Sequence, residues 1–303
     1  MKKSILISFV IPAHNEEDTI EYCIRPIIRQ LKFIKEKIEI IVVNDGSTDK
    51  TPDVVKNNFK KSVKLINFKT GHSAAFSRNR GSEIASGKYL VFLDADQIIE
   101  DNFIKNLREI LVKSNHDVLS MFVLPHNPKT IFQKAWAGFR NAHYCRAFIF
   151  KREVFQKLKF DERIFYIEDN ELWERFTKAG YKLYDSGIKV YHIDPASWND
   201  FLRQRKWHGK GIMCWIKIKK KYSPLRYFAP CFLLLFLFLP IGFFKVAPIL
   251  FYLLLFWAYY GIKSHEIVNS LLWVTIDYFG RFISLYYFLK EILFNQKNYI
   301  GPK

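Results

Sequence analysis

The stretch Lys88-Tyr-Leu-Val-Phe-Leu-Asp-Ala-Asp-Gln97 runs from an apolar segment directly into two acids. Residues 89–93 predict a buried strand, and Asp94 and Asp96 follow it with one alanine between them. In an extended chain residues i and i+2 point to the same side, so both carboxylates would face one ligand. A strand that ends in a polar turn explains the same residues. A divalent cation such as Mg²⁺ or Mn²⁺ would explain why two hard oxygen ligands are paired. The surrounding sequence has to distinguish these interpretations.

Three similar apolar runs precede this stretch and alternate with helical patterns. The runs cover residues 5–11, 38–43 and 63–68, and the helical patterns cover residues 17–35 and 51–58. The second helical pattern has Ser47-Thr48-Asp49 as its start signal and Pro52 in its first turn. Alternating strands and helices favour parallel pairing with right-handed crossovers. The sequence therefore predicts an α/β domain with a nucleotide-binding type of sheet.

The ends of these strands are polar. The first strand ends in Pro12-Ala13-His14-Asn15-Glu16, the second in Asn44-Asp45-Gly46-Ser47 and the fourth in Asp94-Ala95-Asp96. Each end taken alone is a good turn or helix cap. Ligands of parallel α/β sheets bind beyond the carboxyl ends of the strands, so the three ends together predict one shared site.

An ordered set of motifs resembles glycosyltransferase family 2, whose members have the GT-A fold. The resemblance covers residues 4–211 and rests on Phe9-Val-Ile-Pro-Ala-His-Asn-Glu-Glu17, Ile40-Ile-Val-Val-Asn-Asp-Gly-Ser-Thr-Asp49, Ser77-Arg-Asn-Arg-Gly81, Ala85-Ser-Gly-Lys-Tyr-Leu-Val-Phe-Leu-Asp-Ala-Asp96, Ile149-Phe-Lys-Arg-Glu-Val-Phe155 and Glu168-Asp-Asn-Glu-Leu-Trp173. It implies a Rossmann-like mixed sheet and a nucleoside-diphosphate sugar, either a UDP- or a GDP-sugar, as the donor.

The resemblance also implies roles on the donor side. Asp45 would accept the imide N–H of uracil, Arg78 would contact the diphosphate, and Asp94 and Asp96 would form a motif for Mn²⁺ or Mg²⁺ with His192 as a further ligand. The nucleoside would be framed by the end of the first strand, namely Pro12, Ala13, His14, Asn15 and Glu16, and Ala95 lies within the metal motif. Arg78 and Arg80 are also compatible with the start of a surface helix over residues 79–85.

Glu168 and Asp169 precede a helical pattern over residues 171–179. Acids in a first helical turn are favoured by the helix dipole whatever their function. The family resemblance implies that Asp169, beside Glu168, is the general base that deprotonates an acceptor hydroxyl, and that transfer inverts the anomeric centre. A lipid phosphate is already ionised and needs no strong base, so Asp169 would matter less for such an acceptor.

The C-terminal third combines positive charge with long apolar runs. The net charge is +18, and nine basic residues and no acidic one lie between Phe201 and Arg226. Residues 227–244 and 246–262 contain no charged side chain and are near the length of a membrane span. Residues 267–289 are apolar apart from Asp277 and Arg281, and they either span the bilayer or lie along its interface.

These patterns predict an integral membrane protein with its catalytic domain in the cytoplasm. The domains would be 1–215, a cytosolic GT-A catalytic domain; 216–226, a basic juxtamembrane segment; 227–262, two transmembrane helices; and 263–303, a third transmembrane or interfacial helix with a tail. The N-terminus shows no signal peptide pattern. The four scattered cysteines predict reduced thiols.

An element at residues 201–211 resembles the Gln-X-X-Arg-Trp motif of membrane-associated family members. The aligned residues here are Arg203, Lys206 and Trp207, two of which are conservative changes, and they are candidates for holding the acceptor or the diphosphate.

The expected partners are the donor, anionic lipid headgroups and a lipid-linked saccharide or polyprenyl phosphate. A noncatalytic nucleotide-sugar-binding membrane subunit is the alternative. Nucleic acid is not expected, because no recognised binding module accompanies the charge. The sequence does not determine an oligomeric state.

Overall fold

A computed structural model describes residues 5–34, 37–113, 116–130, 133–134, 137, 146–194, 197–219, 276 and 279–290. The chain divides into two compact units. One contains the described residues of Met1–His126 and Cys145–Ile193, and the other contains those of Asn127–Tyr144 and Asp194–Tyr299.

The first unit is built around an eight-stranded mixed sheet. Its strands are β1 (Ile5–Ala13), β2 (Lys37–Asp45), β3 (Lys64–Phe68), β4 (Tyr89–Phe92), β5 (Gln97–Ile99), β6 (Val118–Pro125), β7 (Arg146–Lys151) and β8 (Leu183–His192). They lie in the order β3-β2-β1-β4-β7-β6-β8-β5. Strands β3, β2, β1 and β4 are parallel to one another, whereas β7 is antiparallel to both β4 and β6. The predicted α/β class and the parallel pairing of the first four strands are confirmed.

The helices of this unit are α1 (Ile20–Leu31), α2 (Thr51–Phe59), α3 (Ala74–Ile84), α4 (Phe103–Lys113), α5 (Arg152–Leu158) and α6 (Glu168–Lys178). They cover both faces of the sheet. Along β1, Phe9 and Ile11 pack in a core with α1, α2 and α4, while Val10 packs in a second core with α3, α5 and α6. Strands buried on both faces read as continuous apolar runs. The strand ends are therefore left as the place for polar chemistry.

The close approach of α3 to the sheet depends on a glycine. A Cβ on Gly81 would lie 2.4 Å from Val10 Cγ1 and 3.2 Å from Val43 Cγ2. A side chain there would force Val10 or the helix to move. The glycine thus sets how near α3, which carries Arg78, lies to β1 and β2.

Several predicted boundaries need correction. The first helix begins at Ile20 and not at residue 17, because the preceding residues form a loop that is hydrogen-bonded to the turn after β2. The helix expected over 79–85 begins at Ala74, where the Ser73 hydroxyl caps it by accepting from the Phe76 N–H at 3.1 Å. The helix expected over 171–179 begins at Glu168, so the two acids of that motif form its first turn.

The second unit contains α7 (Trp198–Lys219) and a helical segment, residues 279–290, which pack closely. A Cβ on Gly209 would lie 2.2 Å from the Ser284 carbonyl oxygen, and the Ser284 hydroxyl donates to the Arg205 carbonyl at 2.9 Å.

None of the helices in the described ranges is both apolar and long enough to cross a bilayer. The predicted spans at 227–244 and 246–262 lie outside the described residues, as does part of 267–289. Cys23 and Cys214 are buried free thiols, as predicted, and the other two cysteines lie outside the described ranges.

A buried carboxylate, Glu39, joins the strands at the end of the sheet opposite the polar loops. It accepts from the Ser8 hydroxyl at 2.6 Å and the Ser86 N–H at 2.5 Å, and it pairs with Lys64 Nζ at 2.6 Å. Burial alone would raise the pKa of Glu39, but the bonds from Lys64, Ser8 and Ser86 outweigh burial and lower it. A lowered pKa stabilises the fold above the unfolded-state pKa of about 4.3, and this contribution is lost as the pH falls through the folded-state pKa.

We expect Glu39→Gln to lower the free energy of unfolding by about 1–3 kcal/mol at pH 7, because the buried charged acceptor of three hydrogen bonds is lost. The deficit should shrink when urea unfolding is repeated near pH 4. Glu109→Gln, an exposed substitution on α4, is the matched control and should cost little at either pH. A Glu39→Gln deficit that is the same at both values would contradict the ionised role of Glu39.

Candidate functional site

The loops that follow β1 and β2 are joined to each other by hydrogen bonds. The His14 Nδ1–H donates to the Asp45 carbonyl at 2.7 Å, and the Asn15 N–H donates to the Ser47 hydroxyl at 2.9 Å. Asn15 has a left-handed φ of 58°, which asparagine tolerates, and its Oδ1 accepts from the Thr48 N–H at 2.8 Å. His14 and Asn15 therefore hold the loop after β1 against the loop after β2.

Asp45, the last residue of β2, is held by the loop that follows β3. It is 6% exposed, and its Oδ1 accepts from both the N–H and the Nδ1–H of His72, each at 3.0 Å. The imidazole of His72 stacks on Phe76, with ring centroids 4.0 Å apart and planes 13° apart, and Phe68 meets it edge-on at 5.5 Å. A fixed carboxylate with an aromatic cluster beside it therefore lies at the end of β2.

Arg78 of α3 links two acids from distant parts of the chain. Its Nη2 donates to Asp94 Oδ1 and its Nη1 donates to Glu168 Oε1, both at 2.6 Å. Only 12% of the Arg78 side chain is exposed, and its guanidinium lies 5.3 Å from the centre of the Phe160 ring. Burial alone would lower the pKa of Arg78, but the charges of Asp94 and Glu168 outweigh burial and raise it, so the guanidinium stays charged. Arg78 therefore joins the end of β4 to the start of α6.

Asp94 and Asp96 lie at a turn and have different side-chain partners. Strand β4 ends at Phe92, and a turn follows in which the Gln97 N–H donates to the Asp94 carbonyl at 2.9 Å. Asp94 bonds to Arg78 and, through Oδ2, to the Gln97 amide at 3.1 Å. Asp96 Oδ2 lies 3.2 Å from His192 Nε2 on β8. The alternation of strand side chains stops two residues before Asp94, so the strand itself does not orient the two carboxylates, and their convergence on one ligand stays a prediction.

Negative charge accumulates beside this turn. The pKa of Glu16 is raised to about 7, first by burial and then by the charges of Asp96 and Asp94, while its bond with the Thr19 hydroxyl acts in the opposite direction. A carboxyl whose ionisation is opposed by neighbouring acids marks a place where added positive charge is favourable.

Glu168 and Asp169 form the first turn of α6 but differ in environment. Ile167, which precedes them, has a left-handed φ of 56°, a strained conformation for a β-branched residue. Glu168 is buried, and burial raises its pKa although Arg78 opposes the shift. Asp169 is exposed, and its Oδ1 accepts from the Asn170 N–H at 2.9 Å. Glu168 is therefore an anchor for Arg78, while Asp169 is the accessible acid.

Asp169 lines a pocket that is partly open to solvent. Arg78, Asp94 and Gln97 line its polar side, and its apolar wall consists of Phe92, Ala147, Phe148, Phe150, Phe160, Leu172, Trp173 and Phe176. The Trp173 ring is stacked between Phe148, at 5.7 Å, and Phe176, at 5.4 Å. The described residues thus place an exposed carboxylate beside the Asp94–Arg78–Glu168 link in one pocket.

The other predicted site residues fall into three groups. Pro12 and Ala13 belong to β1, where they pair in register with Val43 and Asn44 of β2. Ala95 is buried in the turn after β4. Arg203 and Lys206 lie on α7 in the second unit, where Arg203 pairs with Asp200 at 2.9 Å and Lys206 lies 5.6 Å from the Tyr287 ring centre. The Trp207 side chain lies outside what the structure describes.

The metal prediction is met only in part by the geometry. Within the described ranges, no group of three or more histidine, cysteine, aspartate or glutamate residues is arranged to hold a cation. Asp96 and His192 are brought together, whereas Asp94 is engaged by Arg78 and Gln97. Asp96 and His192 still fit a divalent ion as a pair, because they offer an oxygen and a nitrogen ligand beside an excess of negative charge.

Sequence reasoning missed two site residues, His72 and Gln97. His72 follows the end of β3 and is hydrogen-bonded to the Asp45 side chain. Gln97 donates to Asp94 twice, from its N–H to the Asp94 carbonyl and from its side-chain amide to the Asp94 carboxylate. The rule that ligands bind at the ends of parallel strands applies to the third strand as much as to the first, second and fourth. It would have identified Lys69-Thr-Gly-His72.

Known proteins are similar to this chain in sequence and in fold. The family model described as glycosyl transferase family 2 matches residues 8–165. The chain is 26% identical over 217 residues to the uncharacterized glycosyltransferase EpsJ of Bacillus subtilis (strain 168), a match that covers 63% of this chain and 62% of EpsJ. It is 25% identical over 210 residues to the minor teichoic acid biosynthesis protein GgaA of the same organism, a match that covers 67% of this chain and 45% of GgaA. The chain thus spans less than two thirds of the length of each of these relatives.

A solved structure with a related fold is that of S. aureus TarS residues 1–349 in complex with UDP-GlcNAc. The TM-score is 0.50, the sequence identity is 16%, and the match covers 90% of both chains. At this level of identity the likeness concerns the fold alone, and it supports the predicted GT-A-like α/β architecture with a mixed sheet.

Proposed function

The chain belongs to glycosyl transferase family 2, and we propose that it transfers a sugar from a nucleoside-diphosphate sugar to an acceptor by a single displacement that inverts the anomeric centre. The observation that carries this proposal is the link Asp94–Arg78–Glu168, which joins the turn after β4 to the exposed Asp169. Such a link holds a donor-side acid and an acceptor-side acid in one rigid arrangement, which a displacement between two bound substrates requires.

The donor binds at the ends of β1, β2 and β4 in this proposal. Asp45 forms a hydrogen bond with the base, and the loop that contains His14 and Asn15 contacts the nucleoside. The polar ends of three parallel strands support this placement, as ligands of such sheets occupy that position. The TarS structure is a complex with UDP-GlcNAc, which favours a uridine nucleotide here as well.

The family resemblance assigns Arg78 to the diphosphate, but its partners favour a different role. Both ends of its guanidinium are engaged by carboxylates in a largely buried position. We assign Arg78 to positioning Asp94 and Glu168, so that it acts on the substrates through these two acids.

A divalent cation, Mn²⁺ or Mg²⁺, is assigned to Asp96 and His192. Glu16 and Asp94 add to the negative charge that would favour it. When bound, the ion supplies positive charge that offsets the charge developing on the departing diphosphate.

Asp169 is the proposed general base. It accepts the proton of an acceptor hydroxyl as that oxygen forms a bond to C1 of the donor sugar. The bond from C1 to the diphosphate oxygen breaks at the same time, and its electron pair leaves with the nucleoside diphosphate. The exposure of Asp169 at the edge of the pocket supports this role, because an acceptor can reach it from solvent.

The acceptor is proposed to be a lipid-linked saccharide or a polyprenyl phosphate at the cytoplasmic face of a membrane. The basic run of residues 203–226 and the apolar runs that follow it support this location. Arg203, Lys206 and Trp207 are proposed to contact the acceptor or the diphosphate. The name of GgaA refers to teichoic acid biosynthesis, and this favours an acceptor from the assembly of a cell-surface polymer.

The full chain in native membranes should turn over at least one UDP- or GDP-sugar from a small panel, and the rate should depend on added Mn²⁺ or Mg²⁺. Asp96→Ala should abolish metal-dependent transfer, because it removes the proposed carboxylate ligand. Asp101→Ala is the matched control, since Asp101 is 88% exposed and makes only a surface ion pair with Arg29 at 3.3 Å. Metal-dependent transfer by Asp96→Ala at the normal rate would refute the metal assignment. Binding of a nucleotide sugar without any turnover would favour the noncatalytic subunit instead.

A further inference from the structure

We infer that His72 is a further specificity-determining residue of the donor site, because it fixes Asp45 as a hydrogen-bond acceptor and thereby strengthens the preference for uridine over cytidine nucleotides that the proposed function gives to Asp45. This inference rests on the proposed function, since it concerns the same donor site. His72 is a positioning residue in this assignment, because it acts on the base through Asp45.

The loop that carries His72 is pressed against the end of β2. Gly46, the residue after Asp45, has a φ of 67°, and a Cβ there would lie 2.3 Å from the Gly71 nitrogen and 2.4 Å from the Thr70 carbonyl carbon. Two backbones can approach this closely only where a side chain is absent. The contact therefore delivers both the N–H and the imidazole of His72 to the Asp45 carboxylate.

The hydrogen on the imidazole is determined by its partner. An ionised carboxylate only accepts, so the His72 nitrogen at 3.0 Å from Asp45 Oδ1, which is Nδ1, carries the hydrogen. Stacking on Phe76 at 4.0 Å and the edge contact with Phe68 hold the ring in this orientation. His72 thus has one fixed role, that of donor to Asp45.

One oxygen of Asp45 is left for a ligand. Both His72 bonds go to Oδ1, and Oδ2 receives no hydrogen bond from the residues that the structure describes. A carboxylate oxygen held in this way favours a ligand N–H and disfavours a ligand acceptor, because two unshared acceptors repel each other. Uracil offers such a hydrogen on N3, whereas N3 of cytosine is bare and cytosine can donate only through its exocyclic amino group, so an acceptor fixed opposite N3 favours uracil.

The test is the affinity of the full-length purified protein for UDP, CDP and GDP, measured by calorimetry with Mg²⁺ present. Wild-type protein should bind UDP more tightly than CDP. His72→Phe keeps a ring for stacking on Phe76 but removes the side-chain donor, so UDP affinity should fall about tenfold, the size of one hydrogen bond to a charged group, while CDP affinity stays unchanged. His72→Asn retains an N–H near the position of Nδ1 and should keep most of the preference for UDP.

His116→Phe is the matched control. His116 also stacks on an aromatic ring, Tyr184, at 3.8 Å, but it lies away from the donor site, just before the start of β6. Its variant should bind all three nucleotides as the wild type does, and the melting temperatures of all variants show whether they are folded.

The outcomes separate the two levels of the proposal. Wild-type protein that binds none of the three nucleotides contradicts the proposed function itself. Wild-type protein that binds CDP as tightly as UDP contradicts the base preference, and a His72→Phe variant that keeps a wild-type preference for UDP contradicts the role of His72 alone. An equal loss of UDP and CDP affinity in His72→Phe also overturns the inference, because it would indicate a general effect on the loop.

Discussion

Asp169→Asn should reduce transfer to a hydroxyl acceptor by about 10²–10⁴-fold, the range that general-base catalysis contributes. Asparagine has nearly the same shape as aspartate and can still accept the Asn170 N–H, but it cannot take up a proton at neutral pH. The Arg78–Glu168 pair does not involve Asp169, so the pocket should keep its structure. The loss should therefore appear in kcat, with the affinity for the donor nucleotide unchanged.

The measurement is radiolabelled sugar transfer in intact membranes, accompanied by nucleotide binding to each variant. Glu174→Gln on the same helix provides the control, because Glu174 forms a surface pair with Lys178 at 2.9 Å and does not line the pocket. Near-normal transfer by Asp169→Asn would contradict the base assignment. It would point to an ionised phosphate as the acceptor, for which no strong base is needed.

The strand ends illustrate how far the sequence predicts this site. The rule that ligands bind beyond the carboxyl ends of parallel strands brought His14, Asn15, Asp45 and Asp94 to one edge of the sheet, and the register of β1 with β2 and β4 agrees with it. This part is predictable because hydrophobic runs and turn residues are local signals, and parallel pairing follows from them. The extended conformation expected for the two acids is not found, for an equally local reason: β4 ends one residue before the apolar run does, and a turn follows at once.

The side-chain pairs between residues far apart in the chain could not be predicted from the sequence. Arg78 and Glu168 are 90 positions apart, and Asp45 and His72 are 27 apart. Which acid an arginine meets depends on how α3, β4 and α6 pack, and that packing depends on details such as the absent side chain of Gly81. A motif therefore identifies Arg78 as important without revealing its partners. Its assignment to the diphosphate followed from the family pattern, whereas its contacts favour a role between two acids.

Arg78→Met should lower the free energy of unfolding by about 3–5 kcal/mol at pH 8, a larger loss than that of any other variant proposed above. Methionine fills much of the volume of arginine but leaves Glu168, whose side chain is only 10% exposed, without its cation. Removing one partner of a buried ion pair costs more than removing both, because the remaining charge is not compensated. Arg78→Met combined with Glu168→Gln should therefore recover part of the stability, while transfer stays low because Asp94 is no longer held.

The pH dependence of Arg78→Met follows from the same charge. Burial already raises the pKa of Glu168 in the presence of Arg78, and loss of the cation raises it further. A carboxyl with a raised pKa leaves the fold stable at low pH, where it is protonated, and costs stability as the pH rises through its folded-state pKa. The difference between wild type and Arg78→Met in urea unfolding should thus widen between pH 5 and pH 8.

Arg80→Met is the control two residues away. Arg80 is about one-third exposed and pairs with Glu83 and Glu162 near the surface, so its loss should cost about 1 kcal/mol or less at both pH values. A small and pH-independent cost for Arg78→Met would contradict the claim that Glu168 is an ionised, buried partner of this arginine.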